Sequence, residues 1–290
     1  MFDLQPIKSD LYIEGFHSIY YFEFSKDFFH DPEQHPFWEM VYVDSGTINA
    51  ITNGIGCMLS QGQVIFHEPM EIHAHISDRQ TANSMLVVSF TCDSEMMQHL
   101  KGKTFTLDKT SKTLLTLFLE EAKNALGTIP SDYQNKENLS FSSSVFGAPQ
   151  LLQSHFTEFL IKLIRAGGSL SSHVLSSKQS RDMANNSLCE LMCEYMKREV
   201  YDSLTLAQLC DHFFLGKTQL CKFFHEWTGQ SPMEYYMAQK IAESKKLLRE
   251  KRYSVTQISD MLGYSSIHNF SRAFKKATGF SPTGYLKRIL

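Results

Sequence analysis

The chain has 290 residues, of which 42% are hydrophobic and 20% charged, a composition typical of a globular protein with room for two domains of ordinary size. No apolar run reaches the length of a membrane span, and the N-terminus lacks the basic start and apolar stretch of a secretory signal, so we expect a cytoplasmic protein with no membrane partner. The six cysteines include no CxxC pair, which argues against a zinc site and favours free thiols in a reducing cytosol.

The net charge of −3 is divided unevenly along the chain. Residues 183–290 carry 15 Lys and Arg against 10 Asp and Glu, which gives +5, whereas the first 182 residues carry 13 against 21, which gives −8. A basic segment joined to an acidic one indicates that only the C-terminal part binds a polyanion such as nucleic acid.

The first hundred residues predict β-structure. Between about residue 11 and residue 107, short apolar stretches such as "EMVYVDSGTINAI" and "SMLVVSFTC" recur between turn-forming Gly, Asn, Asp and Pro. Regularly spaced short strands favour an all-β sandwich or barrel. Two amphipathic helices are predicted to follow, over 110–126 and 150–166, with a polar loop over 127–149 between them.

A Ser- and Gly-rich segment, "GGSLSSHVLSSKQSRD" over 167–182, separates this part from a helical one. Its composition predicts a flexible linker between domains. We therefore expect an α+β protein of two domains, with residues 1–166 forming a β-barrel with flanking helices and residues 183–290 forming an all-α domain.

Two stretches of the C-terminal part match each other: "HFFLGKTQLCKFFHEWTGQSPMEY" over 212–235 and "MLGYSSIHNFSRAFKKATGFSPTGY" over 261–285. Each predicts a short helix, a tight turn and a second helix with basic and amide side chains outside, which describes a helix-turn-helix. A plain helical hairpin with solvated charges is the alternative for one copy, and the matched second copy makes it the weaker interpretation. Between the copies, 232–250 predicts one continuous helix of roughly 28 Å, which would place the two second helices about 34 Å apart, one turn of B-DNA.

Three segments of this part follow a known pattern: "AESKKLL" over 242–248, "QISDMLGYSS" and "NFSRAFKKATGFSPTGY". Through them, residues 185–290 resemble the DNA-binding domain of AraC/XylS-type bacterial transcription regulators. The resemblance implies a regulator rather than an enzyme, with double-stranded promoter or operator DNA, a small-molecule effector, RNA polymerase and a second copy of the chain as partners. Dimerisation is expected through one of the helices at 110–126 and 150–166. Three residues depart from the family pattern: Gly216 replaces a Ser cap, Cys221 takes an outward polar position, and Lys240 stands where Arg is common.

The resemblance also assigns roles to outward side chains near the start of each second helix. It implies base-edge contacts by Thr218, Cys221 and Lys222 in the first unit and by His268, Asn269 and Arg272 in the second. An Arg forks onto guanine O6 and N7 and an Asn pairs with adenine N6 and N7, which suits Arg272 and Asn269. Lys217, Lys275 and Lys276 are expected to contact phosphates, which position the protein without specifying sequence.

The N-terminal part contains "EQHPFWEMVYVDSG" over 33–46, with the spacing H-x3-E-x6-G, and "GQVIFHEPMEIHAH" over 62–75, with G-x6-P-x3-H. Together they resemble the two halves of the cupin barrel motif, which implies a cupin-like barrel with an internal pocket. His35, Glu39 and His73 are the expected effector-binding residues. Metal-binding cupins begin the first half with H-x-H, but Glu33 occupies the first of these positions, so we expect no metal and no cofactor.

Three functions stay open at this point. The leading one is a DNA-binding transcriptional regulator controlled by an effector in the N-terminal barrel. A metal-dependent cupin enzyme with a helical appendage is the rival, in which His and carboxylate ligands would suit Fe, Mn or Zn. The third is a DNA-binding protein whose β-domain has no ligand and only dimerises. The doubled helix-turn-helix and the incomplete metal set favour the first.

Overall fold

The computed structural model of the protein describes residues 3–53, 55–131, 139–141, 145–167 and 177–289. The chain divides into two compact units, Met1–Ala184 and Asn185–Leu290. The first unit is rich in strands and the second is helical, so the predicted α+β class with two domains is confirmed. Most of the predicted linker, 168–176, lies outside the described residues. Its last six residues are helical, because a helix begins at Ser177, so the linker prediction is too long at this end.

Two antiparallel sheets make up the described β-structure of the first unit. The strands are β1 Gly15–Phe24, β2 Trp38–Ser45, β3 Thr47–Thr52, β4 Ile55–Ser60, β5 Gln63–His67, β6 His73–Ser77, β7 Asn83–Thr91 and β8 Thr104–Thr106. A five-stranded sheet has the order β1-β7-β2-β5-β8, and a three-stranded sheet has the order β4-β3-β6. Two isolated bridges, Phe29↔Ile76 and Glu33↔His73, lay the segment before β2 along the free edge of β6.

Strand β2 shows how the sheets are layered, because successive side chains of a strand point to opposite faces. Met40 and Tyr42 pack into a core with two helices, α1 Lys109–Leu126 and α2 Ala148–Ala166. Val41 and Val43 pack on the other face, together with Ile48 of the three-stranded sheet. The layers are therefore helices, five-stranded sheet and three-stranded sheet. This confirms the predicted strand-rich domain with flanking helices, and the predicted sandwich or barrel takes the form of two stacked sheets.

Helices α1 and α2 begin and end within two residues of the predicted bounds. Asp108 caps α1 by accepting from the Ser111 backbone N–H, and Gly147 and Gly167 take left-handed conformations at the two ends of α2. The apolar faces of the two helices meet, with the rings of Phe118 and Phe156 5.0 Å apart. Because these faces are buried within the chain, dimerisation through either helix stays a prediction.

The described helices of the second unit are α3 Ser177–Arg198, α4 Leu206–His212, α5 Lys217–Thr228, α6 Pro232–Glu250, α7 Val255–Met261, α8 Ile267–Thr278 and α9 Pro282–Ile289. The pairs α4–α5 and α7–α8 are the predicted helix-turn-helix units, and α6 spans the predicted 232–250 between them. Thr205, Ser231 and Ser254 begin α4, α6 and α7 with capping boxes, which satisfy backbone N–H groups on both sides of each helix start. None of the described helices is long and apolar enough to cross a bilayer.

Candidate functional site

The outer face of α8 carries the predicted base-contacting residues of the second helix-turn-helix unit, α7–α8. His268, Asn269 and Arg272 are all exposed on it, while Phe270 and Phe274 are buried beneath. Arg272 Nη2 donates to Asn269 Oδ1 at 3.1 Å, and Asn269 Nδ2 donates to Ser265 Oγ at 2.7 Å. The guanidinium and the amide are therefore held side by side, in the donor and acceptor pattern that reads base edges.

The outer face of α5 carries the corresponding residues of the first helix-turn-helix unit, α4–α5. Thr218 and Lys222 are exposed and Cys221 is half-buried, above the buried Leu220 and Phe224. Lys217 is exposed at the first turn of α5, and Lys275 and Lys276 are exposed in the last turn of α8. All nine residues that the sequence predicted to face DNA thus lie on the two second helices, and their contacts with DNA stay a prediction.

Lys240 does not lie on this surface, since only 3% of it is exposed. Its Nζ donates to the backbone oxygens of Asp202 and Leu262. Asp202 precedes the first helix-turn-helix unit, and Leu262 follows α7 of the second one. The ammonium also lies 4.9 Å from the ring centre of Tyr236 and 5.5 Å from that of Tyr264. Burial lowers the pKa of Lys240 to about 8. The Lys that replaces the usual Arg therefore links the two helix-turn-helix units from inside the helical domain.

A polar group of side chains lies between the two sheets of the first unit. Glu39 shares its face of β2 with Val41 and Val43 and pairs in register with His67 of β5. From the opposite sheet, His73 and His75 of β6 lie opposite Thr52 and Ala50 of β3. Along the strands, the space between the sheets thus changes from apolar at one end to polar at the other.

The predicted effector-binding residues meet at this polar end. His35 Nε2 lies 3.5 Å from Glu39 Oε2, and His73 Nε2 lies 3.4 Å from Glu39 Oε1. Glu33 joins them, with its Oε1 3.8 Å from His73 Nε2, because residues 33 and 73 form a backbone bridge. One ligand atom from each of Glu33, His35, Glu39 and His73, which we call the quartet, lies within 4.8 Å of the others. The position that breaks the H-x-H pattern in the sequence is therefore part of the site.

Two imidazole rings of the quartet are held in fixed orientations. Nδ1 of His35 is 2.9 Å from the Phe37 carbonyl oxygen, and Nδ1 of His73 is 2.9 Å from the Glu71 carbonyl oxygen. A carbonyl only accepts, so each Nδ1 carries the hydrogen. The His35 ring stacks on Phe37 and the His73 ring stacks on His67, with centroids 4.1 Å and 4.2 Å apart. Both Nε2 atoms consequently point into the quartet.

The charges of this region follow from burial and from the quartet itself. Burial alone would raise the pKa of the Glu39 carboxyl, but the neighbouring rings of His35 and His73 outweigh it and hold that pKa well below its usual range. Burial lowers the pKa of His73, and the Glu39 carboxylate more than reverses this, so the pKa is raised. Burial holds the pKa values of His67 and His75 well below normal, so both rings are neutral. Ionised Glu39 thus attracts positive charge to the centre of the quartet.

A cavity of about 210 Å³ opens beside the quartet. Glu33, His35 and Glu39 form part of its wall, and aromatic side chains form much of the rest. These aromatic residues are Tyr20, Phe22, Phe24, Phe28 and Phe37. Three of them, Tyr20, Phe22 and Phe24, come from alternate positions of β1.

The sequence did not assign the histidines that surround the quartet to the site. His67 contacts Glu71 at 3.1 Å and His75 at 3.1 Å, which forms a buried hydrogen-bonded row behind His73. His17 and His30 line the cavity. The alternation in "HAHIS" was the available signal for His75, and it becomes informative only once the inward face of β6 is known.

Comparisons with known proteins bear on the helical unit. Residues 209–288 match the family model described as a helix-turn-helix domain. The arabinose operon regulatory protein of Salmonella typhimurium is 29% identical over 163 residues, which cover 50% of this chain and 58% of that protein. An uncharacterized HTH-type transcriptional regulator of Bacillus subtilis, YobQ, is 26% identical over 121 residues, or 42% of this chain and 49% of that protein. The matches thus span about half the length of these relatives.

Among solved structures, ToxT from Vibrio cholerae aligns with 93% of this chain and 96% of its own, at 15% identity and a TM-score of 0.31. The DNA-binding domain of AdpA in complex with a target DNA aligns with 34% of this chain and 90% of its own, at 18% identity and a TM-score of 0.33. Both TM-scores lie below 0.5. The family match and the two helix pairs around α6 identify residues 209–288 as a helix-turn-helix domain, in agreement with the resemblance found in the sequence.

Proposed function

We propose that the protein is a sequence-specific DNA-binding transcriptional regulator whose activity is controlled by a small molecule bound in the cavity of the first unit. The observation that carries the proposal is the doubled helix-turn-helix within a domain of the AraC type. The named relatives that match this domain are transcriptional regulators. The proposal includes a cytoplasmic homodimer that acts on RNA polymerase at a promoter.

In this function the two second helices enter successive major grooves on one face of the duplex. Arg272 and Asn269 read base edges from α8, and His268 lies beside them. Thr218, Cys221 and Lys222 take the same positions on α5. Lys217, Lys275 and Lys276 bind phosphates, which adds affinity that falls as salt rises.

The effector occupies the cavity against His35, Glu39 and His73. Its binding favours one arrangement of the protein over another, and a difference of about 1–3 kcal/mol between the two affinities is enough to change DNA occupancy 5- to 150-fold. The cavity supports this role because it joins aromatic walls to a few convergent polar groups, as small-molecule sites do.

A metal-dependent cupin enzyme with a helical appendage is the second candidate, and the quartet is the observation that favours it. An enzyme does not need two helix-turn-helix units, whereas a regulator uses both. The regulator is therefore the better account of the whole chain, and no catalytic residues are assigned.

The test is selection of DNA from a random library by the purified protein, followed by footprinting. We expect a site with two half-motifs about one helical turn apart. Arg272→Ala should weaken the selected site by about 1–3 kcal/mol and relax preference at one base position. Lys276→Ala, the control, should weaken all sequences alike and reduce the salt slope by about 1. A library that yields no motif, or equal losses on selected and random DNA for Arg272→Ala, would contradict the assignment.

A further inference from the structure

The four edges of the two sheets are not protected alike. Strands β1 and β8 border the five-stranded sheet, and β4 and β6 border the three-stranded one. Proteins usually protect such edges with charges, prolines, bulges, short strands or a covering segment, because unpaired backbone groups otherwise pair with another chain. Strand β1 has a β-bulge between Phe16 and Ser18, and Tyr21 N donates to the Pro130 carbonyl oxygen at 3.1 Å. Strand β8 has only three residues, and two isolated bridges cover the edge of β6.

Strand β4 has none of these protections within the part of the chain that the structure describes. In the sequence, no Asp, Glu, Lys, Arg or Pro stands between Asp44 and Glu68, a stretch that includes all of β3, β4 and β5. Strand β4 pairs with β3 in unbroken register, without a bulge. Two apolar side chains on it are exposed, 45% of Met58 and 54% of Ile55. An edge strand of this kind is expected to pair with a further strand.

The backbone groups of alternate β4 residues point away from β3. Asn53, the residue after β3, donates its N–H to the Ile72 carbonyl oxygen at 2.8 Å, so the odd-numbered residues here bond toward β6 and the even-numbered ones toward β4. The β4 residues opposite these even-numbered ones bond to β3, and the three residues that alternate with them face the free edge. These three residues are Gly56, Met58 and Ser60. The side chain of Gln63 accepts from Ser60 N at 2.8 Å, which agrees with this direction.

We propose that β4 pairs antiparallel with β4 of a second copy of this chain, around a two-fold axis at Met58. With the axis there, every edge-facing residue of β4 lies opposite another one. The two Met58 residues exchange both N–H···O bonds, and Gly56 N of each chain donates to the Ser60 carbonyl oxygen of the other. In self-pairing, a charge on the strand would lie close to its own copy, which is destabilising. The charge-free sequence therefore suits a second copy of the chain better than a charged partner.

The contact joins the two three-stranded sheets into one continuous sheet and leaves α1 and α2 out of the interface. The apolar faces of these helices, which the sequence favoured for dimerisation, are already buried in the core of their own chain. An interface built on one strand of six residues is small, so we expect a reversible dimer with a dissociation constant on the order of micromolar. Binding of both copies to DNA would strengthen the dimer by avidity. This last step rests on the proposed function, whereas the contact itself does not.

The test is analytical ultracentrifugation of the full chain without DNA, over concentrations that extend well above micromolar. Met58→Lys and Met58→Glu should each raise the dissociation constant of the dimer by about tenfold or more, because two like charges meet at the axis without a partner. A mixture of the two variants should dimerise again, because opposite charges then meet there. Met96→Lys is the matched control, since Met96 is 38% exposed in a short helix outside both sheets and its replacement should leave the dimer unchanged. Circular dichroism checks that each variant is folded.

Amide hydrogen exchange, followed by NMR, tests the same contact in the wild type. The Met58 amide should become more protected as the concentration rises, while the Cys57 amide, which bonds to β3, should be protected throughout. A wild type that stays monomeric, or a dimer that Met58→Lys leaves intact, would overturn the proposal, and the second result would place the interface on another surface. A mixture of the Lys and Glu variants that stays monomeric would overturn the axis at Met58. DNA selection by the same proteins separates these failures from a failure of the regulator proposal, because a monomer that still selects a motif contradicts the β4 contact alone.

Discussion

The two helix-turn-helix units share one plan but differ where each second helix begins. Helices α5 and α8 both have 12 residues, and each buries an apolar pair against the unit below. Helix α8 starts at Ser266, whose hydroxyl accepts from the Asn269 backbone N–H, whereas α5 starts at Gly216 with no side-chain cap. The two helix-turn-helix units thus differ in one feature of their second helices: α8 has a side-chain cap and α5 has none.

The surfaces of α5 and α8 that we propose to face DNA differ in the same way, because only on α8 are the side chains joined by hydrogen bonds. Arg272, Asn269 and Ser265 form a chain of hydrogen bonds on α8. Within the described residues 177–289, no side-chain hydrogen bond joins Thr218, Cys221 or Lys222 on α5. Groups held in place before binding lose less entropy when they bind. We therefore expect the second helix-turn-helix to carry more of the sequence specificity and the first helix-turn-helix to contribute more of the general affinity for DNA.

The largest loss of stability is expected at Lys240, which contacts both helix-turn-helix units. Lys240→Met should destabilise the helical domain by about 2–4 kcal/mol. Two buried carbonyls, those of Asp202 and Leu262, lose their donor while the side-chain volume is kept. Hydrogen exchange of the amides from α4 to α8 would measure the loss. The control is Lys246→Met on the same helix, whose side chain is 63% exposed and which should change stability by less than about 0.5 kcal/mol.

If exchange rises in only one of the two helix pairs of Lys240→Met, the tie between them is not what Lys240 provides. Equal protection in wild type and variant would mean that water replaces the ammonium at both carbonyls.

The next largest loss of stability is expected to distinguish the turn between α7 and α8 from the turn between α4 and α5. Phe214 and Gly263 both take left-handed conformations, with φ of 52° and 63°. A Cβ on Gly263 would lie 3.0 Å from the Asp202 carbonyl carbon and oxygen, whereas the first turn already accommodates a Phe. Gly263→Ala should therefore cost about 1–3 kcal/mol, since strain and close approach add. Phe214→Ala, which keeps a Cβ in the same conformation, is the control.

Thermal unfolding and hydrogen exchange would measure both variants of the turns. The comparison fails if Gly263→Ala is no more destabilising than Phe214→Ala, because the approach to Asp202 would then be relaxed without cost.

The sequence predicted the helical unit closely because its signals are local. Caps, Gly stops and apolar spacing recur in both copies, and α6 was predicted to the residue. For Lys240 the sequence showed only a departure from the family pattern, because its burial depends on Asp202 and Leu262, which are distant in sequence.

In the first unit, spacing predicted that His35, Glu39 and His73 would converge. Glu33 was excluded on residue type, and His67 was missed because its inward direction depends on the register between β2 and β5. Register and edge bridges are long-range features that a single chain pattern does not encode.

The smallest effect tests the helix starts directly. Ser266→Ala should destabilise the second helix-turn-helix by about 1 kcal/mol, because the Asn269 N–H loses its acceptor and Ala is a poor cap. Gly216→Ser should stabilise the first unit by only roughly 0.3 kcal/mol, because Gly already tolerates the cap conformation and Ser adds one hydrogen bond. Hydrogen exchange of α5 and α8 amides compares the two. In DNA binding, Ser266→Ala should also loosen Asn269 and so reduce discrimination at its base, while Gly216→Ser should leave discrimination unchanged. A loss of discrimination in both variants, or in neither, would show that the cap does not set the reading face and that the two units read DNA on equal terms.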